Sequence, residues 1–224
     1  MNILEDGILL IDKQPGWTSF DVVAKIRGKR KAALKEAGAT PTKRQLKVGH
    51  AGTLDPFATG LLIILLGDAT KRSDEFLKQD KVYEATITLG QTSSTGDPEG
   101  ELTAVSNKQP TAPEIRDVLT KFIGEITQTP PIYSAIKING QRAYKLARKG
   151  QEVEIPSRQV TIYSLDLLEY NYPNLKIRTN VSSGTYIRSL AQDIGEALGT
   201  GAYCSELRRT SIGKMTILGA SVIL

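Results

Sequence analysis

Residues Leu61 to Leu66 form the longest uninterrupted aliphatic run in the chain, and it narrows the possible folds more than any other feature. An apolar helix needs roughly 20 residues to cross a bilayer, so this run reads as a buried strand instead. It emerges from Gly49-His-Ala-Gly-Thr-Leu-Asp-Pro-Phe-Ala-Thr-Gly60, an irregular, glycine-rich segment that must be held by its backbone because it has few core side chains of its own. A second aliphatic run, Gly7 to Asp12, ends in the turn signal Lys13-Gln-Pro-Gly16 and reads as another short buried strand.

Further strands are expected at Tyr83–Leu89, where residues alternate, and at 124–127, 132–138, 160–170 and 175–181. Helices are expected from Ser19 to Arg27, with Thr18 or Ser19 as the cap, from Pro113 to Phe122, from Ala143 to Lys149, and over 185–198. In the last of these, Ile187, Leu190, Ala191, Ile194 and Leu198 recur at helical spacing. Strands outnumber helices and several are joined by turns of hairpin length. The expectation is therefore an α+β fold with a mixed, largely antiparallel sheet flanked by helices, as one domain over residues 1–224.

Composition limits the chemistry. Cys204 is the only cysteine, which excludes an intramolecular disulfide, and His50 is the only histidine, which excludes multi-histidine metal sites. Carboxylates, tyrosines, lysines and arginines are the groups left to act, and no metal or cofactor is expected. The start, MNILEDGILLIDK, carries acids where a secretion signal carries lysines. A cytoplasmic protein, outside the membrane, is the expectation.

The formal charge of +5 is unevenly spread. Lys29, Arg30, Lys31, Lys35, Lys43, Arg44 and Lys47 face a single acid, Glu36, so residues 28–47 carry +6. This insert lacks apolar periodicity and reads as a surface loop suited to a polyanion, with Lys29, Arg30, Lys31, Lys43 and Arg44 on phosphates. Lys137, Arg142, Lys145, Arg148 and Lys149 form a second acid-free cluster, in which Arg142 and Lys145 are candidate backbone contacts. Solvated faces are the plain alternative for both.

No phosphate-binding glycine loop of the nucleotide-binding kinds occurs at a strand-to-helix turn. The segment around Asp55 is different. Its glycines admit close approach of a ligand to the backbone, and Asp55 would present a carboxylate to it; the competing reading is an aspartate that only initiates a turn before Pro56.

Gly49-His-x-Gly-Thr-Leu-Asp-Pro-x-Ala-x-Gly60, followed by Leu65-Leu-Gly-Asp-Ala-Thr-Lys71, resembles the catalytic motif of the TruB family of tRNA pseudouridine synthases. Four more segments agree in order: Gly7-Ile-Leu-Leu-Ile-Asp-Lys-x-x-Gly-x-Thr-Ser19; Asp80-Lys-x-Tyr83; Gln128-x-Pro-Pro-x-Tyr-Ser-Ala-x-Lys137 with Gly140-x-Arg-Ala-Tyr144; and Gly184-Thr-Tyr-Ile-Arg-Ser189 with Leu207-Arg-Arg209. The resemblance implies that the T-loop uridine at tRNA position 55 is the substrate, that Asp55 is the essential aspartate, that Tyr186 moves the C5 proton, and that Arg188 pairs with the aspartate. It also implies that Tyr83 stacks on the target base, that Leu207 packs on it, and that His50 occupies space near the flipped nucleotide. Lys13, in the first segment, joins the substrate-binding group. Two departures are expected: no C-terminal PUA domain, and a longer basic insert. A monomer acting on the tRNA T-arm without guide RNA follows.

The implied chemistry suits these residues. Uridine becomes pseudouridine by breaking the N-glycosidic bond, turning the uracil and joining C5 to the same sugar carbon, with no redox step, nucleotide energy or metal. One ionised carboxylate in a dry pocket is needed, and a guanidinium beside it keeps it charged. Three routes are open to the carboxylate: attack on the sugar, attack on the base, or removal of a sugar proton. Two rival functions stand against this reading, an RNA-binding or RNA-folding protein on the same scaffold and a nucleoside glycosidase. The glycosidase lacks an obvious second carboxylate to place water.

Overall fold

The computed structural model describes residues 3–134, 136–138, 140–147 and 154–222, with the backbone alone at 137, 138, 142, 144 and 145. In chain order the elements begin β1 (Gly7–Lys13), α1 (Ser19–Glu36), β2 (Val48–Ala51), β3 (Thr59–Leu66), a 3₁₀ turn (Gly67–Arg72), α2 (Ser73–Leu77) and β4 (Lys81–Leu89). They continue as β5 (Gln91–Ser93), β6 (Leu102–Ala104), α3 (Ala112–Thr120), β7 (Gly124–Gln128), β8 (Lys137–Ile138), β9 (Gln141–Arg142) and α4 (Ala143–Ala147). The last are β10 (Arg158–Asn171), β11 (Asn174–Val181), α5 (Ile187–Ala197), β12 (Ala202–Ile212), β13 (Met215–Thr216) and β14 (Ser221–Val222). The fold is α+β with a mixed sheet. Among the described residues no helix is long and apolar enough to cross a membrane.

Two compact units divide the chain: Met1–Tyr83 with Arg208–Leu224, and Glu84–Leu207. In the first, β3 runs antiparallel to β1 from Gly7↔Leu66 to Lys13↔Gly60, and antiparallel to β2 from Val48↔Leu66 to Ala51↔Ile63. It also meets β12 in parallel at Arg208↔Thr59 and Arg209↔Gly60, while β14 lies parallel to β1. The six aliphatic residues of β3 are each no more than 1% exposed, which explains a strand without alternation: both of its faces are covered. Ala51, Leu61, Ile63, Leu65, Ala69, Phe76 and Ile212 form one apolar cluster of this unit.

Helix α1 departs most from expectation. Its start is a capping box in which Thr18 Oγ1 accepts from the Asp21 N–H and the Asp21 carboxylate accepts from the Thr18 N–H. Its end is Glu36 rather than Arg27, so almost half of the basic 28–47 stretch is helix and not loop. The physical reason is a buried face, Val22, Val23, Ile26, Arg30 and Leu34, in which an arginine fills one position. Arg30 is 1% exposed; Nε donates to Gln45 O (2.5 Å), Nη1 to Ile3 O (3.0 Å) and Glu5 O (2.6 Å), and Nη2 to Asp6 (2.7 Å). The expectation that Arg30 meets phosphate is thereby corrected.

The second unit carries the strand order β4-β11-β10-β7, with β10 antiparallel to both β11 and β7. Helix α3 packs on β10 and α5. Its N-terminus repeats the capping box, with Thr111 and Glu114. Of the strand expected over 132–138, only Lys137–Ile138 is one, paired with Gln141–Arg142; Ile132 and Tyr133 are exposed bends. The helix expected over 143–149 is seen from Ala143 to Ala147, and Arg148 and Lys149 lie outside the described residues. The long strand β12 was not foreseen, because its Arg208-Arg209 pair conceals the apolar pattern.

Candidate active site

In the first unit the loop bearing Asp55 is gripped through its backbone. Gly60 opens β3 with φ +100°, and a Cβ there would lie 2.3 Å from Arg209 O, so only glycine lets β3 and β12 approach. Arg209, 1% exposed, donates to Gly52 O (2.9 Å), Thr53 O (3.3 Å) and Leu61 O (2.8 Å). Ser19 Oγ accepts from Leu54 N–H (2.8 Å) and donates to Leu54 O (3.1 Å). Pro56 O accepts from the Gly16 N–H (2.9 Å) and from Lys13 Nζ (3.1 Å), and Ala58 N–H donates to Asp55 O (3.1 Å). Asp55, half-buried, therefore initiates a turn and also holds its carboxylate on a backbone tied at nearly every residue. The two readings of Asp55 made from its sequence are compatible.

Lys13 takes a different place from the one expected. It is 1% exposed, and Nζ also donates to Trp17 O (2.7 Å) and Gln14 O (3.0 Å), so its charge is spent on the loops that frame Asp55. His50 lies on β2 opposite Ile64, in a strand rather than in the irregular segment expected there. Tyr83 is buried on β4. Two residues earlier, burial pulls the Lys81 ammonium down to about 8, the Arg209 charge adding to the effect, while Nζ donates to Leu77 O and Gln79 O.

The second unit holds the other candidates. Tyr186 caps α5, and Gln128, 1% exposed, grips its backbone from both sides: Nε2 donates to Tyr186 O (3.0 Å) and Oε1 accepts from Tyr186 N–H (2.7 Å). In the first turn of the helix, buried Arg188 donates from Nη1 to Thr95 O (2.9 Å) and Asp97 Oδ2 (2.9 Å), and from Nη2 to Tyr133 O (2.8 Å). The other Asp97 oxygen accepts from Thr95 Oγ1 (2.5 Å) and Glu99 N–H (3.1 Å). This buried ion pair was missed because Asp97 precedes Pro98 in what reads as an ordinary turn-rich loop. Leu207 is buried on β12. A cavity of 580 Å³ borders this centre, lined by Thr95, Pro130, Tyr133, Ser189, Gln192 and Asp193. Burial raises the Asp193 carboxyl to about 6, with the Glu196 charge adding to the effect.

Of the basic candidates, Lys29, Lys31 and Lys43 are exposed, and exposed Arg44 is paired with Asp68. Arg142 lies on β9 and Lys145 on α4, with side chains outside the described residues. Among the described residues no three His, Cys, Asp or Glu side chains cluster to hold a metal.

Residues 39–187 match the family model for the TruB family pseudouridylate synthase N-terminal domain, and residues 188–222 that for the tRNA pseudouridylate synthase B C-terminal domain. The tRNA pseudouridine synthase B of Parabacteroides distasonis is 49% identical over 97% of this chain and 90% of its own length. That of Phocaeicola vulgatus is 47% identical over the same shares. A solved structure of a Cbf5-Nop10-Gar1 complex contains a chain that is 31% identical, with a TM-score of 0.70, over 99% of this chain and 53% of its own. The alignment spans both units and includes the Asp55 turn and the Tyr186–Arg188 helix start: the chain belongs to the TruB family of pseudouridylate synthases.

Proposed function

We propose that this protein is a tRNA pseudouridine synthase that isomerises the T-loop uridine at position 55 and acts without guide RNA. The observation that carries the reading is the near end-to-end relation to tRNA pseudouridine synthase B, at 49% identity over 90% of that protein. The chain of the Cbf5 complex is less similar, and only 53% of it is covered. In this reading Asp55 is the ionised carboxylate that acts on the nucleoside, and Tyr186 takes the C5 proton once the uracil has turned. The clamped turn of residues 52–58 supports the first role, since a carboxylate on a fixed backbone needs no rearrangement to reach its transition-state position. Tyr83 offers an aromatic face to a base removed from its stack, an exchange of about 1–3 kcal/mol per base. Leu207 and His50 border the nucleotide, and exposed Lys29, Lys31 and Lys43 draw in the RNA backbone.

The test is to incubate the purified protein with unmodified tRNA and map pseudouridine by chemical derivatisation. A single new site in the T-loop is expected. Asp55→Ala should abolish it while tRNA affinity stays within several-fold, because one carboxylate breaks the bond and many contacts share the binding. Product at wild-type rate from that variant, or no product from wild type, would overturn the reading.

A further inference from the structure

Arg158 opens β10, outside every residue given a role above. Its guanidinium lies over the ring of Tyr186, with Cζ 4.9 Å from the ring centroid, within the range of a cation–π contact. Nη2 donates to the carbonyl of Gly184, two residues before that tyrosine. A Cβ on Gly184 would approach Cζ of Arg158 to 3.4 Å, so the guanidinium is packed between a bare backbone and an aromatic face.

Two fully buried arginines provide the contrast to half-buried Arg158. Arg30 and Arg209 each spend all three guanidinium nitrogens on oxygen acceptors, as arginines that only hold a fold together do. Arg158 spends one. Its Nε is buried and has no hydrogen-bond partner among the described residues. A buried unpaired donor is costly, and stacking on Tyr186 is the contact this placement secures. The tyrosine is then held on two sides: Gln128 fixes its backbone, and Arg158 fixes the plane of its ring.

We propose that Arg158 is a positioning residue for Tyr186, setting the orientation of the phenol during proton transfer. The inference rests on the role given to Tyr186 above and deepens it. Arg158 makes no bond to the reacting atoms; it acts by narrowing the angles open to the ring.

Single-turnover rates at saturating tRNA, tRNA dissociation constants and melting temperatures of Arg158→Gln and Arg158→Lys test it. Arg158→Gln should cut the saturating rate at least tenfold, with affinity within about threefold of wild type, and Arg158→Lys should recover part of the rate by restoring a cation over the ring. Should Arg158→Gln not fold, Arg158→Lys alone carries the test, with a rate below wild type expected. A second readout does not depend on activity: 3-fluorotyrosine placed at position 186 should give one ¹⁹F resonance in wild type, moved or broadened in either variant. An unmoved resonance, an unchanged saturating rate, or a loss confined to affinity would each overturn the proposal. A moved resonance together with full activity of Tyr186→Phe would instead leave the clamp standing and remove Tyr186 from catalysis.

Discussion

Asp97 and Arg188 form an ion pair whose side chains are 5% and 3% exposed, and hydrogen bonds of 2.5–3.1 Å surround it. A pair so enclosed is costly to halve: removing one partner of a buried salt bridge typically loses about 3–5 kcal/mol, because the remaining interior charge has lost a counter-charge. Asp97→Ala should therefore shift the urea midpoint downward by an amount worth about 3 kcal/mol, with little change in the slope. The neighbouring Asp193 acts in the opposite sense. Its carboxyl is raised from 3.8 to about 6 in the folded protein, so the native state holds its proton more tightly than the unfolded chain does. Below pH 4 both states are protonated and nothing is lost; as pH climbs through about 6, the native carboxylate ionises at a penalty and stability falls. Asp193→Asn should equal wild type below about pH 4 and exceed it by about 1 kcal/mol above pH 6, a figure discounted for the group's partial exposure. Unfolding titrations at pH 4, 5.5 and 7.5 check both sign and window.

Helix α1 shows how one residue decides the length of an element. Past Arg27 its exposed positions are Gly28, Lys29, Lys31, Ala32, Lys35 and Glu36, and its hold on the rest of the unit comes from Arg30 and Leu34. Arg30→Ala strips hydrogen bonds from Ile3 O, Glu5 O and Gln45 O and leaves Asp6 without its ion pair. Three hydrogen bonds to carbonyls at about 1 kcal/mol each, with exposed Asp6 adding little, lead to an expected loss of about 3 kcal/mol in equilibrium unfolding, with falling helix content by circular dichroism. Lys29→Ala, one residue away and exposed, should stay within about 0.5 kcal/mol of wild type. Where apolar side chains supply most of a buried face, the elements were legible: β1, β3, β4, β11 and α5 each lie within two residues of expectation. Where a cation fills a core position, as Arg30 does in α1 and Arg209 in β12, the periodicity is broken on paper and intact in space.

Charge is the property that belongs to the whole molecule. The stretch 28–47 holds more than the net +5, and with Arg30 turned inward the residues left to meet a polyanion are Lys29, Lys31, Lys35, Lys43 and Lys47, with Arg44 engaged by Asp68. Replacing Lys29, Lys31, Lys35 and Lys43 by Gln should flatten the plot of log affinity against log salt by roughly 2, since each phosphate contact contributes about 0.7 to 0.9. Arg30→Gln should leave that slope unchanged. Filter-binding titrations of tRNA at several salt concentrations separate the two, and equal slopes for wild type and the lysine variant would show a solvated face.

From sequence alone, the buried strand at 61–66, a helix start at Thr18 or Ser19 and the ordered motifs that mark the family were all determined, because each depends on residues adjacent in the chain. Only the tertiary structure decided which charges are interior. Arg30 is satisfied by Ile3, Glu5, Asp6 and Gln45, Arg188 by Thr95, Asp97 and Tyr133, and Tyr186 is held by Gln128 and Arg158. A buried cation needs oxygen acceptors that the fold gathers from distant segments, and their convergence is invisible until the backbone that carries them is in place.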